Sequence, residues 1–182
     1  MSGPIIVAAL FDRADFAWLN AQRTLHYPPE RNRIPAHLTL FHHLPPSARD
    51  DLCTRLKREC CEPSPPARIS GLMGLGTGTA YRIESPSLDD ARYRLAEAFD
   101  TLLTPQDQAN WNAHVTIQNK VKPSLAKQTQ HLIMADFRPR PLSIIGLAAY
   151  HYADGVWDEI KAYAFGSGHK MKATAMGRRV EI

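Results

Sequence analysis

Two short stretches constrain the fold of this chain more than any other feature: His37-Leu38-Thr39-Leu40 and, much later, His114-Val115-Thr116-Ile117. Side chains of an extended strand alternate between faces, so each stretch presents an imidazole and a hydroxyl on one side and two aliphatic residues on the other. With 8 His and 10 Thr in 182 residues, chance supplies His-x-Thr roughly 0.4 times, and a following Leu or Ile reduces this to roughly 0.07. Two copies therefore carry information. They call for two buried-on-one-face strands from opposite halves of one molecule.

The chain is long enough for one well-filled core or for two small lobes sharing one. A hydrophobic fraction of 44% and a charged fraction of 22% are those of an ordinary globular protein, and no apolar run reaches membrane-spanning length. The N-terminus lacks a basic segment before Ile5 to Leu10 and reads as a first strand rather than a secretion signal, so the cytoplasm is the expected compartment. Cys53, Cys60 and Cys61 have neither C-x-x-C spacing nor a distant partner, which fits reduced packing residues. The net charge of +4 mildly favours an anionic ligand.

Residues 4 to 11 form an aliphatic run expected as a buried strand, and Asp12 caps a helix to about His26, ended by Tyr27-Pro28-Pro29. A basic loop with Arg31 and Arg33 leads to the first motif strand, 37 to 44, closed by prolines. A helix follows from Ser47 to about Cys61. Strands at 68–75 and 79–84 turn at Gly76-Thr77-Gly78; a phosphate-cradling loop is disfavoured there, because no Gly-Lys-Ser/Thr or strand-to-helix transition follows. A helix over 87–103 and a polar loop over 104–110 precede the second motif strand, 111 to 121. A helix from Ser124 to about Ala135 and strands at 142–152 and 156–165 complete the order. The prediction is an α+β fold with largely antiparallel sheets, bilobal with pseudo-two-fold character, its helices outside and a groove at its centre. Residues 1–165 form the expected single domain, and 166–182 a basic, mobile or loosely docked tail.

In its paired motifs and element order across residues 4 to 165, the sequence resembles the 2H phosphoesterase superfamily, which includes bacterial 2'-5' RNA ligases and 2',3'-cyclic phosphodiesterases. The resemblance implies a bilobal fold with both motifs in a central groove, His37 and His114 as exchangeable general acid and base, and Thr39 and Thr116 as phosphate ligands. The chemistry is also legible from the residues. Opening a cyclic phosphodiester requires one proton removed from water and one delivered to a departing sugar oxygen, and two facing imidazoles supply both near pH 7. The hydroxyls stabilise charge on non-bridging oxygens. No metal or other cofactor enters this scheme.

The commoner ligase pattern closes its first motif strand with a glycine and often places an arginine after the second motif, whereas this chain has His42-His43-Leu44 and Gln118-Asn119-Lys120. On regular strands Phe41 and His43 would share the face of His37, and Gln118 and Lys120 that of His114. His43 and Lys120 are thus candidate substrate contacts or, equally, solvated strand ends. His37, His42 and His43 make a poor metal set, since alternation separates His42 from the others. Tyr150, His151 and Tyr152 either stack a base or pack, and Arg31 and Arg33 either hold backbone phosphates or remain solvated. The expected function is hydrolysis or reversible formation of 2',3'-cyclic or 2'-5' phosphodiesters in RNA or nucleotides by a monomer. The alternatives are an RNA-binding or regulatory module without catalysis, and an esterase for another small cyclic phosphate.

Overall fold

The computed structural model describes residues 3–153 and 155–171. Strand β1 (Ile5–Phe11) is buried along its whole length, as its unbroken aliphatic run requires, because it has a neighbour on either side. Helix α1 (Arg13–His26) starts at Asp12, whose carboxylate accepts the Asp15 N–H at 2.8 Å. There follow β2 (Leu38–Leu44), α2 (Arg49–Glu59), β3 (Pro66–Gly74), β4 (Thr79–Glu84), α3 (Pro86–Ala98) and a short α4 (Pro105–Gln108). The order ends with β5 (His114–Gln118), α5 (Pro123–Asp136), β6 (Arg140–Ala153), β7 (Val156–Ala164) and β8 (Lys170–Met171).

Every strand pairing is antiparallel, in the order β2-β1-β6-β3-β4-β5, with β7 on β6 and β8 on β7. Strand β6 joins the two parts of this sheet: Arg140 to Ser143 pair with β3, and Ile144 to His151 with β1. One core runs beneath both parts, with Leu19, Leu38 and Leu56 from the first half packed in a cluster with Tyr81, Leu88 and Val115 from the second. The motif strands β2 and β5 stand at opposite ends of the strand order, yet they pack against each other. The fold is α+β with an antiparallel sheet, and no helix among the described residues is long and apolar enough to cross a membrane.

The glycine-rich stretch is a hairpin turn. Leu75 N–H donates to Gly78 O at 2.9 Å, and Gly76 takes a φ of 75°. At Gly78 a Cβ would stand 2.1 Å from Gln118 O, so only glycine lets the end of β5 lie across this turn.

Several boundaries differ from those read in the sequence. The helix expected from Ser47 opens as a 3-10 turn over Pro46–Ala48, and the one expected to reach Leu103 breaks at Phe99, which turns into the core. The polar loop contains α4, with Thr104 as cap and Pro105 in its first position, a start signal in its own right. Strand β5 is shorter than 111–121 because Trp111 leaves the strand path and Lys120 adopts a φ of 58°. The stretch expected as a mobile or loosely docked tail begins with backbone contacts: Gly166 N–H donates to Glu62 O at 2.7 Å, Gly168 N–H to Cys60 O at 2.9 Å, and β8 pairs with β7. Residues 172–182 lie outside the described residues.

Strand β2 carries two register breaks against β1. Ala8 pairs with Thr39 but Val7 with Phe41, and Ile5 with Leu44. The first extra residue sends both Leu40 and Phe41 into the core, each fully buried. At the second, Asp107 replaces the ladder: its carboxylate accepts His42 N–H at 2.9 Å, His43 N–H at 2.9 Å and the His42 ring at 3.0 Å. Burial works to raise the Asp107 carboxyl, but the His42 side chain and these backbone donors overcome it and hold the group below its usual range. Asp107→Ala leaves those donors without an acceptor, and urea denaturation at pH 7 should show a loss of about 2–4 kcal/mol, with Asp107→Asn costing less. A loss within about 0.5 kcal/mol for Asp107→Ala, the range of an ordinary surface substitution, would contradict this role.

Candidate active site

Helix α1 brings the two motifs together. Its buried stripe is Asp15, Leu19 and Arg23, charged at both ends and apolar in the middle. Asp15 accepts Arg140 Nη2 at 2.6 Å and Ser143 N–H at 2.7 Å, fixing the helix to β6. Asn20 accepts the Ala36 N–H at 2.7 Å and so sets the approach to His37. Arg23 reaches into the other half, where Nη1 donates to Thr116 O at 2.7 Å, while Nε donates to Asn32 Oδ1 at 2.8 Å. The second half reciprocates: Trp111 Nε1 donates to Thr39 O at 3.0 Å. Each motif threonine thus has its carbonyl held by a side chain from the opposite half.

The two imidazoles are fixed in the same way. Nδ1 of His37 lies 2.7 Å from Pro35 O, and Nδ1 of His114 lies 2.7 Å from Asn112 O. A carbonyl can only accept, so Nδ1 carries the hydrogen in each ring, and in the neutral form Nε2 is the free base. The His37 ring packs against Trp157 at 4.8 Å between centroids. It is half-buried. Burial first, then the Arg23 charge, lower its pKa to about 4; the hydrogen bond to Pro35 O opposes them, and the weaker effects of His42 and His114 add to the lowering. His37 is therefore neutral at pH 7.

Thr39 lies opposite Ala8 and Thr116 opposite Ala80, so each half-buried threonine has a small neighbour that leaves room beside its hydroxyl. A hollow of about 470 Å³ brings His37 and Thr116 together with Arg23, Tyr27, Arg31 and Lys120. Hollows of 590–710 Å³ lie elsewhere on the surface, but none of those is lined by a residue of the first motif.

Other candidate residues are placed differently from a regular strand. Phe41 is in the core, and the breaks in β2 remove the alternation that put His43 beside His37; His43 is exposed, with its N–H on Asp107. Gln118 is buried rather than facing the groove, its amide donating to Thr129 Oγ1 at 2.9 Å, because a register break between Thr79 and Ala80 turns it beneath α5. Lys120 does reach the hollow, although by a chain reversal after β5 and not by strand alternation. Arg31 and Arg33 also line it. Tyr150 is fully buried against Trp157, whereas Tyr152 is partly exposed at the hollow. Among the described residues no group of His, Cys, Asp and Glu has the arrangement of a metal site. Arg23, Asn20 and Trp111 escaped sequence reading. The available signal was a charged residue four positions after Leu19, on the stripe of α1 that faces the core.

The lowered pKa of His37 is a statement about stability. Below about pH 6.5 the unfolded chain takes up a proton at His37 that the folded chain refuses until about pH 4, so acidification through this window favours unfolding. Between pH 7 and pH 5 the wild type should lose about 2 kcal/mol through this residue, a loss absent from His37→Asn. Urea denaturation at both pH values measures it, and equal losses in the two proteins would contradict the assignment.

The model of the 2'-5' RNA ligase superfamily matches residues 11–155. Among solved structures, TT0787 of Thermus thermophilus is 17% identical, with a TM-score of 0.62 over 91% of this chain and 100% of that one. A crystal structure described as a phosphoesterase is 14% identical, with a TM-score of 0.59 over 91% and 99%. E. coli LigT complexed with NADP+ is 12% identical, with a TM-score of 0.57 over 91% and 99%. At such identities these are likenesses of fold, and no curated protein sequence matches the chain. The match to the family model spans most of the sequence and includes both motifs, and the chain therefore belongs to the 2'-5' RNA ligase superfamily.

Proposed function

We propose that this protein is a phosphoesterase that opens, or reversibly forms, a 2',3'-cyclic or 2'-5' phosphodiester in RNA or a nucleotide. The observation that carries the reading is the pair of imidazoles, each anchored through Nδ1 to a carbonyl two residues back, at motif strands that pack against each other. In the hydrolytic direction His37 is the base: neutral at pH 7, it takes the proton of the attacking water through Nε2. His114 supplies the proton to the departing sugar oxygen. Thr39 and Thr116 donate to the non-bridging oxygens as charge accumulates there. The roles of the imidazoles exchange in the reverse direction, as microscopic reversibility demands. None of these steps requires a metal. E. coli LigT has been crystallised with 3'-AMP and with NADP+, which supports a nucleotide as the ligand class.

Purified protein in EDTA should open a 2',3'-cyclic nucleotide. His37→Ala and His114→Ala should each lower kcat by about 10²–10⁴-fold, and Thr39→Val and Thr116→Val by about 10²–10³-fold, with circular dichroism unchanged. Full activity in both histidine variants would overturn the mechanism. Salt-sensitive RNA binding without turnover of any cyclic or 2'-5' substrate would overturn the enzymatic reading itself.

A further inference from the structure

Among the described residues two arginines are buried, and they differ in how their charge is met. Arg92 donates to Leu40 O and Asp107 O, lies over the Phe41 ring, and has the Asp107 charge acting on it. Arg23, only 4% exposed, has no carboxylate in ion-pair distance among the described residues. Among the described residues the acidic group acting on it is the Tyr27 phenol, by its charge and by a side-chain hydrogen bond, and the guanidinium sits over that ring at 4.0 Å. A buried, uncompensated cation costs several kcal/mol. It is tolerated where the compensating charge arrives with a ligand, and Arg23 lines the hollow shared by His37 and Thr116.

The donor count agrees. A guanidinium has five N–H groups; one on Nε is committed to Asn32 and one on Nη1 to Thr116 O, and the Tyr27 side chain takes a third, which leaves two. The two bonds fix the plane of the fork against the second motif strand, and a planar fork with free N–H groups suits a phosphate oxygen. We propose that Arg23 is a phosphate ligand as well as the brace between the halves, its free N–H groups holding a non-bridging oxygen of the phosphate placed between His37 and His114. The inference rests on the proposed function for the position of the phosphate, and extends it by assigning a ligand from α1, outside both motifs.

A second role follows for the same residue. The charged or titratable groups acting on His37 are Arg23, His42 and His114, with Tyr27, Glu30, Arg31, Arg33 and Lys120 also lining the hollow. Of these Arg23 acts most strongly. A phosphate that neutralises Arg23 relieves the repulsion on His37, so the base gains proton affinity as the substrate docks. Water bound in the empty groove meets a weaker base than water beside a bound phosphodiester.

The test uses inorganic phosphate and the full chain labelled with ¹⁵N. In the wild type, phosphate should shift the Arg23 guanidinium resonance along a saturable curve and raise the His37 titration midpoint by about one pH unit, as expected when a neighbouring charge is neutralised. Arg23→Met should bind phosphate at least about tenfold more weakly, in line with the loss of a charge-assisted hydrogen bond, and raise the His37 midpoint without phosphate. Arg23→Lys, which keeps the charge and loses the fork, should retain a low His37 midpoint. Phosphate that saturates the groove without moving the Arg23 resonance, or that binds Arg23→Met with unchanged affinity, overturns the proposal. If the variants fail to fold, the wild-type titration decides alone. Phosphate bound at Arg23 by a protein that turns over no cyclic or 2'-5' phosphodiester would sink the proposed activity and leave this inference standing.

Discussion

The site depends on two side-chain hydrogen bonds to main-chain carbonyls: Arg23 to Thr116 O and Trp111 to Thr39 O. Strands β2 and β5 are the two ends of the strand order, and an end strand has carbonyls with no ladder partner. Left unpaired and buried, such groups are costly, and left open they invite another strand. Here each is met by a side chain from the opposite half. Pairing the two strands directly would have closed the sheet and removed the groove. Bridging them through long side chains fixes the relative position of two strands that pack against each other, and so joins two distant halves of the sequence.

The same constraint explains the departures from regular strand geometry. The first break in β2 turns Phe41 into the core, where the aromatic is fully buried beside Arg92. The second turns two N–H groups to Asp107 before pairing resumes at Leu44. In the other half, the break next to β5 buries Gln118, and the positive φ of Lys120 carries its side chain back to the hollow. Irregularities of this kind terminate a ladder and re-aim side chains where a functional cleft begins. His37 and Thr39, and His114 and Thr116, precede the breaks in their strands and stay on the alternating pattern that the sequence displays.

That distinction accounts for what could be read from the chain alone. The element order, the antiparallel pairing and the four motif residues follow from hydrophobic alternation, helical periodicity and turn residues, all local in sequence. The placements of Phe41, His43 and Gln118 did not follow, because register breaks come from partners remote in sequence, Asp107 above all. Thr104-Pro105 was legible as a helix start, but its four-residue helix is too short for periodicity to reveal. Arg23 lay on the core-facing stripe of α1, and a lone arginine there gives no hint that its partner is a strand in the other half. Long-range polar contacts completed the site, and hydrophobic pattern is blind to them.

The central claim is that the two motifs are halves of one phosphate site. It is tested most directly by titrating inorganic phosphate into protein with ¹⁵N-labelled histidine and following Nε2 of His37 and His114. One site predicts that both resonances move on a single saturation curve with one dissociation constant, and that His37→Asn weakens the response at His114. Movement of only one ring, or two independent curves, would contradict the account.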